Sequence, residues 1–323
     1  MSNIKLVPAL QNEIEDNAAW CASFELAWQT FQNEYLENEF SYDENNKTIG
    51  YLIDECKRGF NLDQKEYYVK SGKKTLDLRN EIMREIKRKF NTNSDILKNV
   101  QFSNDPNTNE FLIYSIICAN FKFRRKFQIF PRKMWFRNDE KVKYFGIRHR
   151  LNFGLSDQVG VRFYNDKNDF AAIVKCASGR DNEKYIYFYR TDEKLTFKEA
   201  YNRVKGGRGR SAYEKINTFA VPKLKIDIFE QFGELSGETL IRKRDEEKFV
   251  VANAMQNLKI DLDRGGARVK SEAVLQPLLG APYGARYETK YYDLIFDGTF
   301  YMIVEENYRP VVALRVQDIK EFI

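Results

Sequence analysis

The chain has 323 residues, 43% of them hydrophobic and 15% aromatic, and its 53 Lys/Arg against 47 Asp/Glu leave a net charge of +6. These totals exclude a disordered or fibrous chain and allow one large core or two ordinary domains. No apolar run approaches the roughly 20 residues of a membrane helix, and MSNIKLVPALQNEIEDN lacks an apolar signal core, so a cytoplasmic monomer with no membrane partner is expected.

Taken in order, residues 9–40 read as helix, because Trp20, Phe24, Ala27, Trp28 and Phe31 recur at three- and four-residue spacing. Residues 75–90 read as a second helix, with Thr75 as cap and Leu78, Ile82, Ile86 and Phe90 four apart. A polar break follows, with Ser94 or Asp95 as a further cap. Beyond residue 110 the pattern turns to strands: FLIYSIICANFKF, a hairpin around Asn138-Asp139, then VGVRFY, AAIVKCA and YIYFYR. FKEAYNRVK is a short helix. FAVPKLKIDIFEQF and KFVVANAMQNLKIDLD each read as one strand, and FYMIVEEN and PVVALRVQD as two strands round a turn at Asn307. With no repeat or linker, this predicts one α+β domain over 1–323, mainly helical over 1–100 and mainly β over 110–323.

The stretch IDLDRGGARVKSEAVL, residues 260–275, alternates twice. After Gly265 and Gly266, the residues Ala267, Val269, Ser271 and Ala273 give one small face, and Arg268, Lys270 and Glu272 the other. Taken alone, it also fits a surface hairpin edge.

The order of elements resembles that of the serpins. Pro222 with KLKIDIFEQF is similar to the family's "PKFKIE" strand. FVVANAMQNLKIDLDRGGA is similar to the strand leading into its hinge, with Ile260, Asp261, Leu262, Asp263, Gly266 and Ala267 in the hinge places. IFDGTFYMIVEEN and PVVALRVQD resemble the closing strand pair, with Phe296, Asp297 and Phe300 at its entry, and FLIYSIICANFKFRRKF is similar, more weakly, to the family's "NAIYFKG.W" strand. The match covers about residues 110–323.

This resemblance implies N-terminal helices packed on a large mixed or antiparallel central sheet, with an exposed reactive-type loop over about 267–290. It implies a bait for a serine or cysteine protease. When the loop is cut it enters the sheet, turning about Gly265 and Gly266, with Ala267, Val269, Ser271 and Ala273 on the inward face. Counted forward from Gly266, the cleavable bond falls after Gly280; counted back from Phe296, it falls after Glu288. Arg286 lies between and suits a trypsin-like protease. Three charges, on Arg268, Lys270 and Glu272, interrupt the run of small residues that inhibitors favour. Ile117 and Gln256 stand where the family has a polar pair beneath the sheet, and Arg125 where it has a tryptophan. A non-inhibitory binding protein of the same fold is the alternative.

Other patterns point elsewhere. Residues 122–150 hold eleven Lys/Arg and two acids, interleaved with aromatics. Lys122, Arg124, Arg125, Lys126, Arg132 and Lys133 are candidate polyanion contacts, although aromatics alternating with charges also describe strands with one buried face. GGRGR, 206–210, could hold a phosphate or form a simple turn. Cys21 and the single histidine, His149, are the one thiol–imidazole dyad available to a cysteine hydrolase; a buried packing role for Cys21 is the alternative. The carboxylate pairs Asp43-Glu44 and Glu305-Glu306 lie beside expected turns and read as solvated. Four scattered cysteines with no C-x-x-C argue for reduced thiols and against a zinc cage. No cofactor, metal or enzymatic activity is expected.

Overall fold

Thr75 accepts the amide of Leu78 and caps helix α3 (Leu76–Phe90), whose Leu78, Ile82 and Ile86 are buried. Asn91 then turns left-handed and ends it. The computed structural model describes residues 4–57, 59, 62–148, 153–177, 183–207, 215–269 and 291–323. Its other helices are α1 (Ala22–Glu34), α2 (Lys47–Cys56), the single turn α4 (Phe153–Ser156) and α5 (Phe197–Gly206). A full capping box between Thr196 and Glu199 starts α5.

The expected helix over 9–40 is shorter in the structure. Ala18–Cys21 is a strand, all four of its residues buried. It pairs antiparallel with Arg309–Val316, and α1 begins only at Ala22. A segment buried on both faces satisfies its backbone best as a ladder member, whatever its side-chain spacing.

Two expected strands also divide. FAVPKLKIDIFEQF becomes Lys215–Pro222 and Leu224–Gln231, in different sheets. KFVVANAMQNLKIDLD becomes Lys248–Val250 and Met255–Asp263, likewise in different sheets. The hairpin of Met134–Phe136 and Glu140–Val142 turns at Arg137 and Asn138, both at positive φ.

A seven-stranded sheet forms the body. Its order is Lys5–Leu6, Ala18–Cys21, Arg309–Val316, Phe300–Glu306, Lys184–Arg190, Asp169–Lys175 and Val159–Asp166. Phe300–Glu306 and Arg309–Val316 are almost wholly buried, so these closing strands are the centre of the core. A four-stranded sheet of Tyr291–Ile295, Lys215–Pro222, Tyr144–Ile147 and Gln128–Ile129 packs against it through Phe188, Phe219 and Phe296. The remaining large sheet holds Leu224–Gln231, Met255–Asp263, Gly266–Val269 and Ala119–Lys122. Past Cys118 the chain of its last strand continues into Phe111–Ile117, which pairs with Tyr67–Lys73. On one side of that pair lies α3, with Tyr114 in its apolar cluster; on the other lies α1.

Glu305 and Glu306, expected to be solvated, are fully buried. Glu305 accepts from Tyr187, Tyr201 and Lys205. Glu306 faces Lys184, which also bonds Glu66. Burial and Glu305 push both tyrosine hydroxyls up, so they stay protonated and donate. The turn that follows sits at the rim, but the preceding strand is covered on both faces, so both carboxylates lie inside, where partners are obligatory.

Close by, Glu25 pairs with Arg309, and Glu55 accepts the Leu10 amide at 2.7 Å. Burial and the nearby Glu25 push the Glu55 carboxyl up to about 8. The folded chain therefore holds a proton that the unfolded chain releases. This contribution is complete below the unfolded carboxyl pKa and is lost as pH climbs to about 8. Glu55→Gln is expected to flatten the fall in urea-unfolding free energy between about pH 5 and 8, by up to about 1.4 kcal/mol per pH unit.

Candidate functional site

The Met255–Asp263 strand alternates strictly, with Gln256, Leu258, Ile260 and Leu262 buried. It turns at Arg264-Gly265 and pairs with Gly266–Val269 through Asp263↔Gly266, Leu262↔Ala267 and Asp261↔Arg268. On its far side Gly266–Val269 pairs with Lys122, Phe121, Asn120 and Ala119. Residues 266–269 therefore do not stand outside the body, as the loop expectation had them; they are ladder members between two strands. Ala267 and Val269 are buried, and Arg268 stays out, bridging Asp261 at 2.9 Å and Asp263 at 2.8 Å. Residues 270–290, including Ser271, Ala273, Gly280, Arg286 and Glu288, lie outside the described residues.

Only one of the two glycines needs to be glycine. Gly266 has φ +133°, and a Cβ there would run into the Phe121 carbonyl. Gly265 has ordinary φ and donates to Asp263 Oδ1 at 2.6 Å.

Below this four-residue wedge the sheet parts. Met255–Ile260 and Phe111–Ile117 face each other across a cavity of about 1180 Å³, and no described strand lies between them. Six residues of strand correspond to about 20 Å of slot with no described strand in it. Its floor is α1. There the Gln256 amide donates to the Cys21 carbonyl at 2.9 Å and to Ser23 Oγ at 2.8 Å, and the Ser115 hydroxyl donates to the Ser23 carbonyl. Ile117 is buried beside them. Its roof is the segment 93–100. Asp95 bonds Lys259 at 3.1 Å, and Lys259 bonds Asp227 at 2.8 Å, so an ion-pair chain ties the roof to one wall.

The other candidates separate. In and beside the basic run, Phe121, Phe123, Phe127, Phe136, Tyr144 and Phe145 are buried core, whereas Phe130 is half-buried and Trp135 is exposed. Lys122, Arg124, Arg125, Lys126, Arg132 and Lys133 are exposed. Arg125 donates to the Gly154 carbonyl; the other five make no ion pair among the described residues. Cys21 is buried, and desolvation pushes its thiol up, so the thiolate that a hydrolase needs is disfavoured. His149 lies outside the described residues. Of GGRGR, Gly207 accepts Arg162, which also holds the Val204 and Lys205 carbonyls, making this a helix end held by an arginine; 208–210 lie outside the described residues. Among the described residues no His/Cys/Asp/Glu group is arranged to hold a metal, and no helix is long and apolar enough to cross a membrane.

No family model and no curated protein matches the chain. Solved structures do. Maspin aligns at TM-score 0.52 and 10% identity, over 93% of this chain and 92% of that one. Tengpin, a thermophilic serpin in the native state, aligns at 0.51 and 11%, over 96% and 90%. Serpin48 from the insect Tenebrio molitor aligns at 0.50 and 14%, over 97% and 96%. The chain has the serpin fold. The likeness extends to the first hundred residues, which the sequence motifs left unmatched. At these identities the serpin likeness speaks to architecture alone.

Sequence reasoning missed Asp95, Lys259 and Trp28 as parts of the slot. The first two lie 164 positions apart, and no local pattern joins them. Gly266→Ala is expected to lower stability by about 2–3 kcal/mol in urea unfolding. Gly265→Ala, meeting only the Asp263 carboxylate, is expected to cost less than about 1 kcal/mol.

Proposed function

We infer that this serpin-fold chain offers residues of about 267–290 to a serine or cysteine protease, and that the cut loop fills the slot. The supporting observation is the pairing of Gly266–Val269 directly above a gap between Phe111–Ile117 and Met255–Ile260 that no described strand occupies. Continued downward, that register would set Ser271 opposite Leu258 and Ile117, and Ala273 opposite Gln256 and Ser115. Both are small residues entering against a packed floor. Lys270 would meet Lys259 on the other face, under the 93–100 segment. Insertion on this reading requires the Asp95–Lys259 pair to give way.

Filling the slot would form about a dozen backbone hydrogen bonds, each worth roughly 1 kcal/mol net. Cutting after Arg286 with a low dose of trypsin is expected to raise Tm by on the order of 20 °C. Ala273→Glu is expected to be cut equally well with no rise, since a carboxylate would be buried against the packed floor beside Gln256 and Ser115 with no cation among the described residues to pair it. An unchanged Tm in the cut wild-type chain would favour a binding protein without a trap.

A second reading concerns Lys122, Arg124, Lys126, Arg132 and Lys133, exposed and without ion pairs among the described residues. They support attraction to a polyanion through counterion release. Retention on an immobilised polyanion is expected to fall steeply with salt, and charge reversal at Arg132 and Lys133 to lower the elution salt.

A further inference from the structure

The hairpin of Met134–Phe136 and Glu140–Val142 lies inside the basic run and has two unlike faces. Its register sets Met134 opposite Val142, Trp135 opposite Lys141 and Phe136 opposite Glu140. Side chains alternate along each strand, so Phe136 and Val142 share the inner face and are buried. Trp135 and Lys141 share the outer face and are exposed. Lys133 and Lys143 flank the hairpin, continue the outer alternation and are exposed as well.

Trp135 differs from the other two tryptophans of the chain. Trp20 and Trp28 are buried, whereas Trp135 is 50% exposed. Lys141 Nζ stands 4.6 Å from its ring centroid, a cation–π contact that leaves half the residue open to solvent. Among the described residues, Arg132, Lys133, Lys141 and Lys143 make no ion pair. Lys223, whose amide donates to the Lys143 carbonyl at 2.9 Å, adds an exposed cation beside them. Acids are turned away or occupied. Glu140 lies on the inner face, Asp139 stands at the turn, and the Asp297 carboxylate lies 3.6 Å from Arg190.

Folding gains little from a half-exposed indole, and unpaired cations around it repel one another. A polyanion relieves the second cost only. A sulfated or phosphorylated chain without rings offers the indole nothing flat. A single strand of nucleic acid answers both features, because its phosphates meet the lysines and its bases expose the π-faces that a duplex keeps stacked. We propose that this hairpin face binds single-stranded nucleic acid, with a base stacked on Trp135 and phosphates held by Arg132, Lys133, Lys141 and Lys143. This deepens the polyanion reading and rests on it.

Two end-labelled probes of equal phosphate number separate stacking from charge: a thymidine oligonucleotide of about a dozen units and an abasic chain with the same backbone. Each is titrated against the intact chain by fluorescence anisotropy at low salt. The thymidine probe is expected to bind about tenfold more tightly, the effect of one stacked base, and to quench tryptophan emission. In Trp135→Ala the ratio is expected to fall to about one and the quenching to vanish, with the salt slope unchanged because no charge is lost. Lys133→Ala combined with Lys143→Ala is expected to weaken both probes alike and to lower the salt slope by about 1.4, leaving the ratio near ten. Equal binding of the two probes would overturn the proposal and leave the polyanion reading standing. A tenfold ratio that survives Trp135→Ala would do the same. Equal binding together with tight retention on anionic lipid vesicles would assign the face to a membrane surface instead. Failure of both probes to bind at low salt would remove the proposal and the polyanion reading together.

Discussion

Strand edges inside a folded chain must satisfy their amides and carbonyls, and here two of them face each other without a described strand between. The separation is enforced from three sides. Gly266–Val269 wedges the top, α1 lies across the floor through Gln256, Ser23 and Ser115, and the Asp95–Lys259–Asp227 chain ties the roof to one wall. Closing the gap directly would require the two walls to slide over α1, breaking packing at Phe24, Trp28 and Ile117. Among the described residues, rigid surroundings hold these two edges apart, and no strand pairs with them there.

The rest of the molecule is built to the opposite rule. The seven-stranded body buries Glu305, Glu306, Glu66, Glu25 and Glu55 with Lys184 and Arg309 in one region and gives most of them close partners. Breaking such a pair by removing one member is more damaging than never having it, because the survivor remains buried and charged. This network joins the start of the chain, α2, Lys184–Arg190 and the closing strands into a body that does not part. One half resists rearrangement while the other retains room for it.

Much of the regular structure was readable from local signals. The cap and four-residue spacing of α3, the turn at Asn307 and, as far as residue 269, the double alternation read over 260–275 all appear where side-chain chemistry places them. Misreadings arose where distant partners override local pattern. Trp20 has helical spacing to Phe24, but Ala18–Cys21 has a ladder partner almost three hundred residues away. Glu305 and Glu306 stand next to a turn, but the strand carrying them is covered on both faces. Pro222 and the residues after Val250 mark passages between sheets, which hydropathy cannot distinguish from continuous strand.

The order of strands, the glycine at 266 and the small face of Ala267 and Val269 were written into the chain, because turn geometry and side-chain alternation are local properties. Whether 266–269 lies in the sheet or outside it, and that the walls below it stand apart without a described strand between them, were settled only by packing. Each depends on residues far apart in sequence meeting across a core, and no local pattern encodes that distance.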